Sequence, residues 1–131
     1  RAIQGCKGAD AIFIGCLLNG RASAERLAAL EKDIVIVNAG TYGEFSMDDF
    51  ICSGYIIKCL KDIVPIEMTD LAYTAYHTYN LHSDITSFIC NGRHYNVLKD
   101  LGFTRDLEYC CQKDITRVVP YFNGEYITID N

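Results

Sequence analysis

Ile34-Val35-Ile36-Val37-Asn38-Ala39-Gly40-Thr41-Tyr42-Gly43-Glu44-Phe45-Ser46-Met47-Asp48-Asp49 is the stretch on which the reading of this chain turns. Its first four residues are β-branched with no polar interruption, the pattern of a strand covered on both faces. Two glycines follow, and Ser46 then opens a helical pattern that continues to Lys61. Ser46 fits the N-cap, with Asp49 three residues on in the capping-box position and both aspartates complementing the helix dipole. The stretch predicts a strand, a tight turn and a helix.

The same unit occurs just before it. Ala11-Ile12-Phe13-Ile14-Gly15 is a short apolar run ending in glycine, followed by a helix that Asn19 can cap and that runs to Lys32. Strand, helix, strand, helix predicts an α/β fold, layered α/β/α around a mainly parallel sheet with right-handed crossovers. Beyond Pro65, helices are expected from Asp70 to about Asn80 and from Asp84 to about Leu101, the latter ending at Gly102. A shorter helix is expected from Arg105 to Lys113. Tyr73, Tyr76 and Tyr79 fall three apart and read as a packing stripe. Val118 to Phe122 and Glu125 to Ile129 flank Asn123-Gly124, which predicts a C-terminal β-hairpin closed by a type I′ turn. Pro120 sets its strand at an edge or its own position outside the ladder.

At 131 residues, with 50% hydrophobic and 22% charged side chains, the chain is expected to form one α/β domain over residues 1–131. A net charge of -5 offers no basic stripe for nucleic acid. No apolar run reaches the roughly 18 residues of a membrane span, and no signal peptide is recognisable. The seven cysteines include no Cys-x-x-Cys pair, and six adjoin apolar residues. They read as buried reduced thiols, which points to the cytoplasm. Arg1 to Gly5 looks like the tail of a helix, so the chain is expected to be a portion of a longer one. Oligomeric state is left open, a homo-oligomer included.

In open α/β sheets ligands bind beyond the carboxyl ends of strands, at the loop into the next helix. Cys16 to Asn19 and Asn38 to Ser46 are the two such loops. In the second, Gly40 and Gly43 allow close backbone approach, and Thr41 and Ser46 add hydroxyls beside a helix N-terminus. This composition suits a small anion. Carboxylates beside a phosphate would repel it unless a cation intervened, and Mg²⁺ favours one or two carboxylates together with phosphate oxygens and water. Glu44, Asp48 and Asp49 are therefore the candidate metal shell. Asn19 either caps its helix or holds a substrate oxygen. Arg93 follows a glycine that is unfavourable inside a helical pattern, a hint of close packing or ligand approach. His77, His82 and His94 show no metal-ligand spacing and read as surface residues.

Ala39-Gly40-Thr41-Tyr42-Gly43-Glu44-Phe45-Ser46-Met47-Asp48-Asp49, with Cys52-Ser53-Gly54 after it, resembles the Ala-Gly-Thr-x-Gly-x-Phe-Ser-Leu-Glu-Asp...Cys-Ala-Gly pattern of the 2-phosphosulfolactate phosphatases, the ComB-like proteins. Gly8 to Ala11, Ile14 to Asn19, Asn91-Gly92-Arg93, Leu101-Gly102-Phe103, Asp106, Cys110 and Asp114 to Pro120 resemble the family in the same order. Met47 replaces Leu, Asp48 replaces Glu, and Asn91 stands where His is common. The resemblance implies Mg²⁺-dependent hydrolysis of the phosphate ester of 2-phospho-3-sulfolactate, or of a similar small anionic phospho-acid, on the route to coenzyme M. It also implies a longer chain, of which this is the C-terminal part. Asp49, Ser46 and Arg93 are then the expected catalytic residues, Asn19, Gly40, Thr41 and Gly43 the substrate-binding ones, and Asp49, Asp48 and Glu44 the metal ligands. The alternative reading is a non-catalytic module for small-anion binding or oligomerisation.

Overall fold

The computed structural model describes residues 1–82 and 84–129. In chain order the helices are α1 (Ala2–Gly5), α2 (Gly20–Ala28), α3 (Met47–Lys61), α4 (Asp70–Leu81), α5 (Ile85–Ile89), α6 (Arg93–Asp100) and α7 (Thr104–Cys110), with a 3₁₀ turn at Leu17–Asn19. Strands β1 (Tyr121–Phe122) and β2 (Ile127–Thr128) close the chain. The result is a helix-rich α/β arrangement centred on α3, which packs between α2 and α4.

Helix α3 is central because its sequence is apolar nearly all round, as a helix covered on several sides must be. Ile51, Tyr55, Ile56, Cys59 and Leu60 point into the core beside Leu17, Ala24, Tyr79, Ile85 and Ile89. Ile51 is fully excluded from solvent, a burial that stabilises by roughly 1.5–3 kcal/mol. Two glycines set the helix spacing. A Cβ at Gly54 would lie 2.2 Å from the Ala75 carbonyl oxygen, so the α3 and α4 backbones touch there. A Cβ at Gly20 would lie 2.7 Å from the Tyr55 ring, which brings the start of α2 against α3.

The expected parallel sheet does not form among the described residues. The Phe13 segment pairs antiparallel with Tyr121, through Ile14 N–H to the Pro120 carbonyl at 2.8 Å and Phe122 N–H to the Ile12 carbonyl at 2.9 Å. The end of the chain thus takes the edge expected for a sequential parallel neighbour. Ile34–Val37 makes no strand pairing: alternate residues Ile34 and Ile36 pack against the core, while Val35 is 83% exposed and Val37 51%. A β-branched run encodes a strand-like ribbon, but pairing requires a neighbour whose backbone is within reach.

Other boundaries shift for local reasons. The helix expected over 84–101 is broken into α5 and α6 at Cys90–Gly92. Gly92 caps α6 in extended geometry, and the Asn96 amide returns to the carbonyls of Cys90 and Gly92. Gly102, at φ +85°, ends α6 as expected. In the hairpin the register is Tyr121↔Thr128 and Phe122↔Ile127, so the loop spans 123–126 and is not a two-residue type I′ turn. The Asn123 carboxamide oxygen accepts from Glu125 and Tyr126 N–H, an Asx turn that outcompetes the tighter closure. Pro120 lies outside the ladder and contributes only its carbonyl.

Two packing expectations are corrected. Of Tyr73, Tyr76 and Tyr79 only Tyr79 is buried, against the buried Tyr55; Tyr73 is 54% exposed. A three-residue step falls about 60° short of a full turn, so such a stripe drifts off the buried face. The cysteines are free, but only Cys59 is buried, and Cys16, Cys90 and Cys110 are exposed. Sequence neighbours on a helix point about 100° apart, so an apolar neighbour does not carry a thiol inward.

Candidate functional site

The turn between Ile34–Val37 and α3 is a closed loop clamped to the first turns of that helix. Thr41 N–H bonds the Glu44 carbonyl at 3.1 Å and Glu44 N–H returns to the Thr41 carbonyl at 3.0 Å, with Tyr42 and Gly43 between them at φ +56° and +85°. Two consecutive positive φ values are those of a type I′ turn. Gly40, at φ +70°, has no room for a side chain: a Cβ would meet the Glu44 carbonyl oxygen at 2.6 Å. Gly40 N–H donates to Asp49 Oδ2 at 2.6 Å, and Ser53 Oγ donates to Asn38 Oδ1 and to the Asp49 carbonyl. Asp49 therefore pins the turn to the helix N-terminus, a charge-assisted bond that also complements the helix dipole.

Ser46 stands at the N-cap of α3, but its side chain does not cap the helix; its hydroxyl donates to Asp48. The other oxygen of Asp48 meets His94 Nδ1 at 3.2 Å. Burial raises the Asp48 pKa, but the hydrogen bonds from Ser46 and His94, its own backbone amide and the His94 charge outweigh it and hold the carboxyl below the usual aspartate range. The break at Gly92 is what delivers His94 and Arg93 to this spot. A Cβ at Gly92 would lie 3.0 Å from the Ile89 carbonyl, a tight approach to the end of α5, and 3.5 Å from Met47 Sδ, an ordinary contact with the start of α3.

These residues line a cavity of about 80 Å³ whose polar wall is Thr41, Ser46, Asp48, Arg93 and His94, backed by Phe45 and Leu107. That is several times the roughly 10–15 Å³ that one water requires, and adequate for a small anion. Larger grooves exist elsewhere; the one beside Ile34–Ile36 also carries polar groups, Lys32, Asp33, Asn38, Ser53, Glu67 and Thr69, but it contains neither the Gly40–Asp49 turn's Thr41, Ser46 and Asp48 nor Arg93. Arg93 Nη2 lies 3.8 Å from Glu44 Oε2, both side chains being about three-quarters exposed, so the pair is a loose one that a stronger anion can displace.

Of the residues singled out in the sequence, Thr41, Ser46, Asp48 and Arg93 thus share one cavity wall, with Glu44 at Arg93 and Gly40, Gly43 and Asp49 shaping the turn behind. Asn19 does not line that wall. It is 3% exposed, and its side chain holds Cys16 N–H, the Ile14 and Val118 carbonyls and the Ser23 hydroxyl. His94, a surface residue by its spacing to the other histidines, belongs to this wall because its partner is a carboxylate 46 positions away. The usable signal was its place directly after Gly92-Arg93.

Among the described residues no group of three His, Cys, Asp or Glu side chains is gathered to hold a metal ion. Glu44 faces Arg93, Asp48 faces Ser46 and His94, and Asp49 faces the Gly40 amide. A complete protein cage is therefore not built from these carboxylates. No described helix is long and apolar enough to cross a membrane.

A helix N-terminus, a glycine turn and an arginine thus surround one polar cavity in an α/β chain. A family model described as 2-phosphosulpholactate phosphatase matches residues 1–125. The chain belongs to the 2-phosphosulpholactate phosphatase family. A protein of Clostridium acetobutylicum named probable 2-phosphosulfolactate phosphatase is 53% identical over 129 residues, covering 97% of this chain and 55% of that relative. Proteins of the same name from Clostridium novyi and Clostridium tetani are 45% and 49% identical, covering 98% and 95% of this chain and 54% and 53% of their own lengths. The chain spans about half the length of these curated relatives.

Proposed function

We propose that this chain forms one wall of the active site of a phosphoric monoester hydrolase, which cleaves the phosphate ester of 2-phospho-3-sulfolactate or a similar phosphorylated hydroxy acid to sulfolactate and phosphate. The observation that carries the reading is the convergence of Thr41, Ser46, Asp48, Arg93 and His94 on one cavity at the N-terminus of α3, in a chain of this family.

The roles follow from the chemistry of each group. The Arg93 guanidinium exchanges its loose contact with Glu44 for the doubly charged phosphate, a charge-assisted interaction suited to its forked donors. The Thr41 hydroxyl donates to anionic oxygens while Ser46 keeps its single proton on Asp48, and Gly40 and Gly43 keep the turn backbone close to the anion. Asp49 fixes the turn through the Gly40 amide. His94 and Ser46 hold the Asp48 carboxylate in one orientation and keep it ionised. Asp48 is the residue that would hold Mg²⁺ at the cavity wall, with Asp49 and Glu44 on the flanks of the same turn. Mg²⁺, when bound, neutralises charge on the ester oxygens and lowers the pKa of a bound water.

Phosphate release by a full-length member of the family, assayed over a panel of phosphorylated hydroxy acids with and without Mg²⁺, tests the reading. Chelation is expected to abolish turnover. Asp48→Asn is expected to lower kcat/KM by about 100-fold, and Arg93→Ala to raise KM by roughly 10-fold to 100-fold, the value of a hydrogen bond to a charged group. Phosphate release that is indifferent to all three removes this cavity from the chemistry and leaves a module that binds without reacting.

A further inference from the structure

The ribbon Ile34–Val37 is left in a state that a strand does not ordinarily keep. Among the described residues none of its backbone N–H or C=O groups takes part in a hydrogen bond. One face, Ile34 and Ile36, packs on the helical core, and the other, Val35 and Val37, is apolar and open to solvent. The ribbon is thus hydrophobic on both faces and unpaired along both edges. Beside it lies a groove of about 660 Å³ walled by Phe45, Phe50, Ile57, Ile66 and Leu71, of which Phe45 and Leu71 are 70% and 72% exposed. An unpaired apolar edge of this kind is a template for strand addition, with backbone bonds giving affinity and alternate side chains giving register.

We infer that Ile34–Val37 is the receiving edge of a β-sheet whose next strand, an apolar one, is contributed by the part of the family protein lying outside the region matched here. The relatives from Clostridium acetobutylicum and Clostridium novyi cover 97% and 98% of this chain with only 55% and 54% of their own lengths, so nearly half of each remains available as the occupant. A second copy is the poorer fit. Pairing of Ile34–Val37 with its own equivalent closes one edge and leaves the second edge open, whereas a folded unit with its own strands closes both edges and covers Val35 and Val37. The ribbon leads directly into the Gly40–Asp49 turn, so the added strand also steadies the candidate site from behind. The inference rests on the backbone and on family membership, and it stands whichever reaction the site performs.

Hydrogen exchange read by mass spectrometry decides it, on the full-length relative from Clostridium acetobutylicum and on this chain side by side. The amides aligned with Ile34–Val37 are expected to exchange at least 100-fold more slowly in the full-length protein. Equal and fast exchange in both overturns the inference, because the edge then stays open in the complete protein. Equal and slow exchange overturns it too, because the ribbon is then paired without the additional region; a sedimentation coefficient that rises with concentration of this chain would identify the second copy as the occupant. Activity enters none of these outcomes, so a failed phosphatase assay leaves the test intact.

Discussion

Asp48 is where charge, burial and chemistry meet in one side chain. It accepts from Ser46 and His94, and these contacts depress its pKa despite partial burial. A carboxyl held below its unfolded value stabilises the fold above the ordinary aspartate pKa of about 3.9, and that contribution is lost as pH falls through the lower folded value. Urea unfolding at pH 6 and at pH 2.5 should therefore show Asp48→Asn less stable than the parent at the higher pH, with the gap closing at the lower. A gap of constant size would mean that the amide loses packing only. The glycines and hydroxyls of this neighbourhood were legible in the sequence because turn geometry and helix capping are local. The Asp48–His94 contact was not, because no local rule links residues 46 positions apart. Asp49 shows the converse: its capping-box spacing was legible, yet its carboxylate is spent on Gly40 N–H outside the helix.

At the level of elements, α3 and α4 form the tightest joint in the molecule. Gly54 lets the two backbones meet, and any side chain there collides with a carbonyl at 2.2 Å, a group that cannot rotate away. Gly54→Ala should therefore destabilise the protein by about 3 kcal/mol or more, the upper end for overpacking, although alanine is the better helix former. Chemical denaturation checks this, and a gain in stability would show that the helices separate at little cost. A smaller effect is expected at the start of α4, where Thr69 Oγ1 accepts from Ala72 N–H; Thr69→Ala should cost about 1 kcal/mol. Helices α3 and α4 were readable almost to the residue, since their periodicity and caps lie within the segment. The break at Gly92 and the four-residue hairpin loop were not, because each is decided by a side chain, Asn96 or Asn123, bonding to backbone that a local pattern does not know is free. The parallel sheet failed as an expectation for a further reason: apolar runs state that a strand is wanted, but not which neighbour will supply its bonds.

On the scale of the whole molecule, the beginning and end of the described chain are joined by one polar knot. Asn19 bridges Cys16, Ile14, Ser23 and Val118, while Asp114 takes the Arg21 amide at 2.7 Å on one oxygen and the Tyr55 hydroxyl on the other. Both residues are buried within, or anchored onto, the joint between α2, α3 and the returning tail, where Asp114 and Thr116 N–H bond the Leu17 and Leu18 carbonyls. Asn19→Ala leaves several of these groups unsatisfied, and a loss of about 2–4 kcal/mol in unfolding free energy is expected. Asn19→Asp is expected to fall short of full rescue, because the amide donations to two carbonyls are lost. A full rescue would place the weight on the acceptor side alone.

The Asn19–Val118 bond spans 99 positions, and that separation sets a timetable as well as a geometry. During synthesis at about 5–20 residues per second, the Ile12–Ile14 segment leaves the ribosome roughly 5–20 s before its partner at Pro120–Phe122 exists. Throughout that interval the segment lacks its Pro120–Phe122 partner. Helices α3 and α4, whose contacts are close in sequence, can assemble meanwhile, and the long loop closes last. Nascent chains stalled before Val118 should thus be protease-sensitive around Phe13 while already resistant across α3 and α4, and extension past Phe122 should convert the first region to the resistant form in a single step.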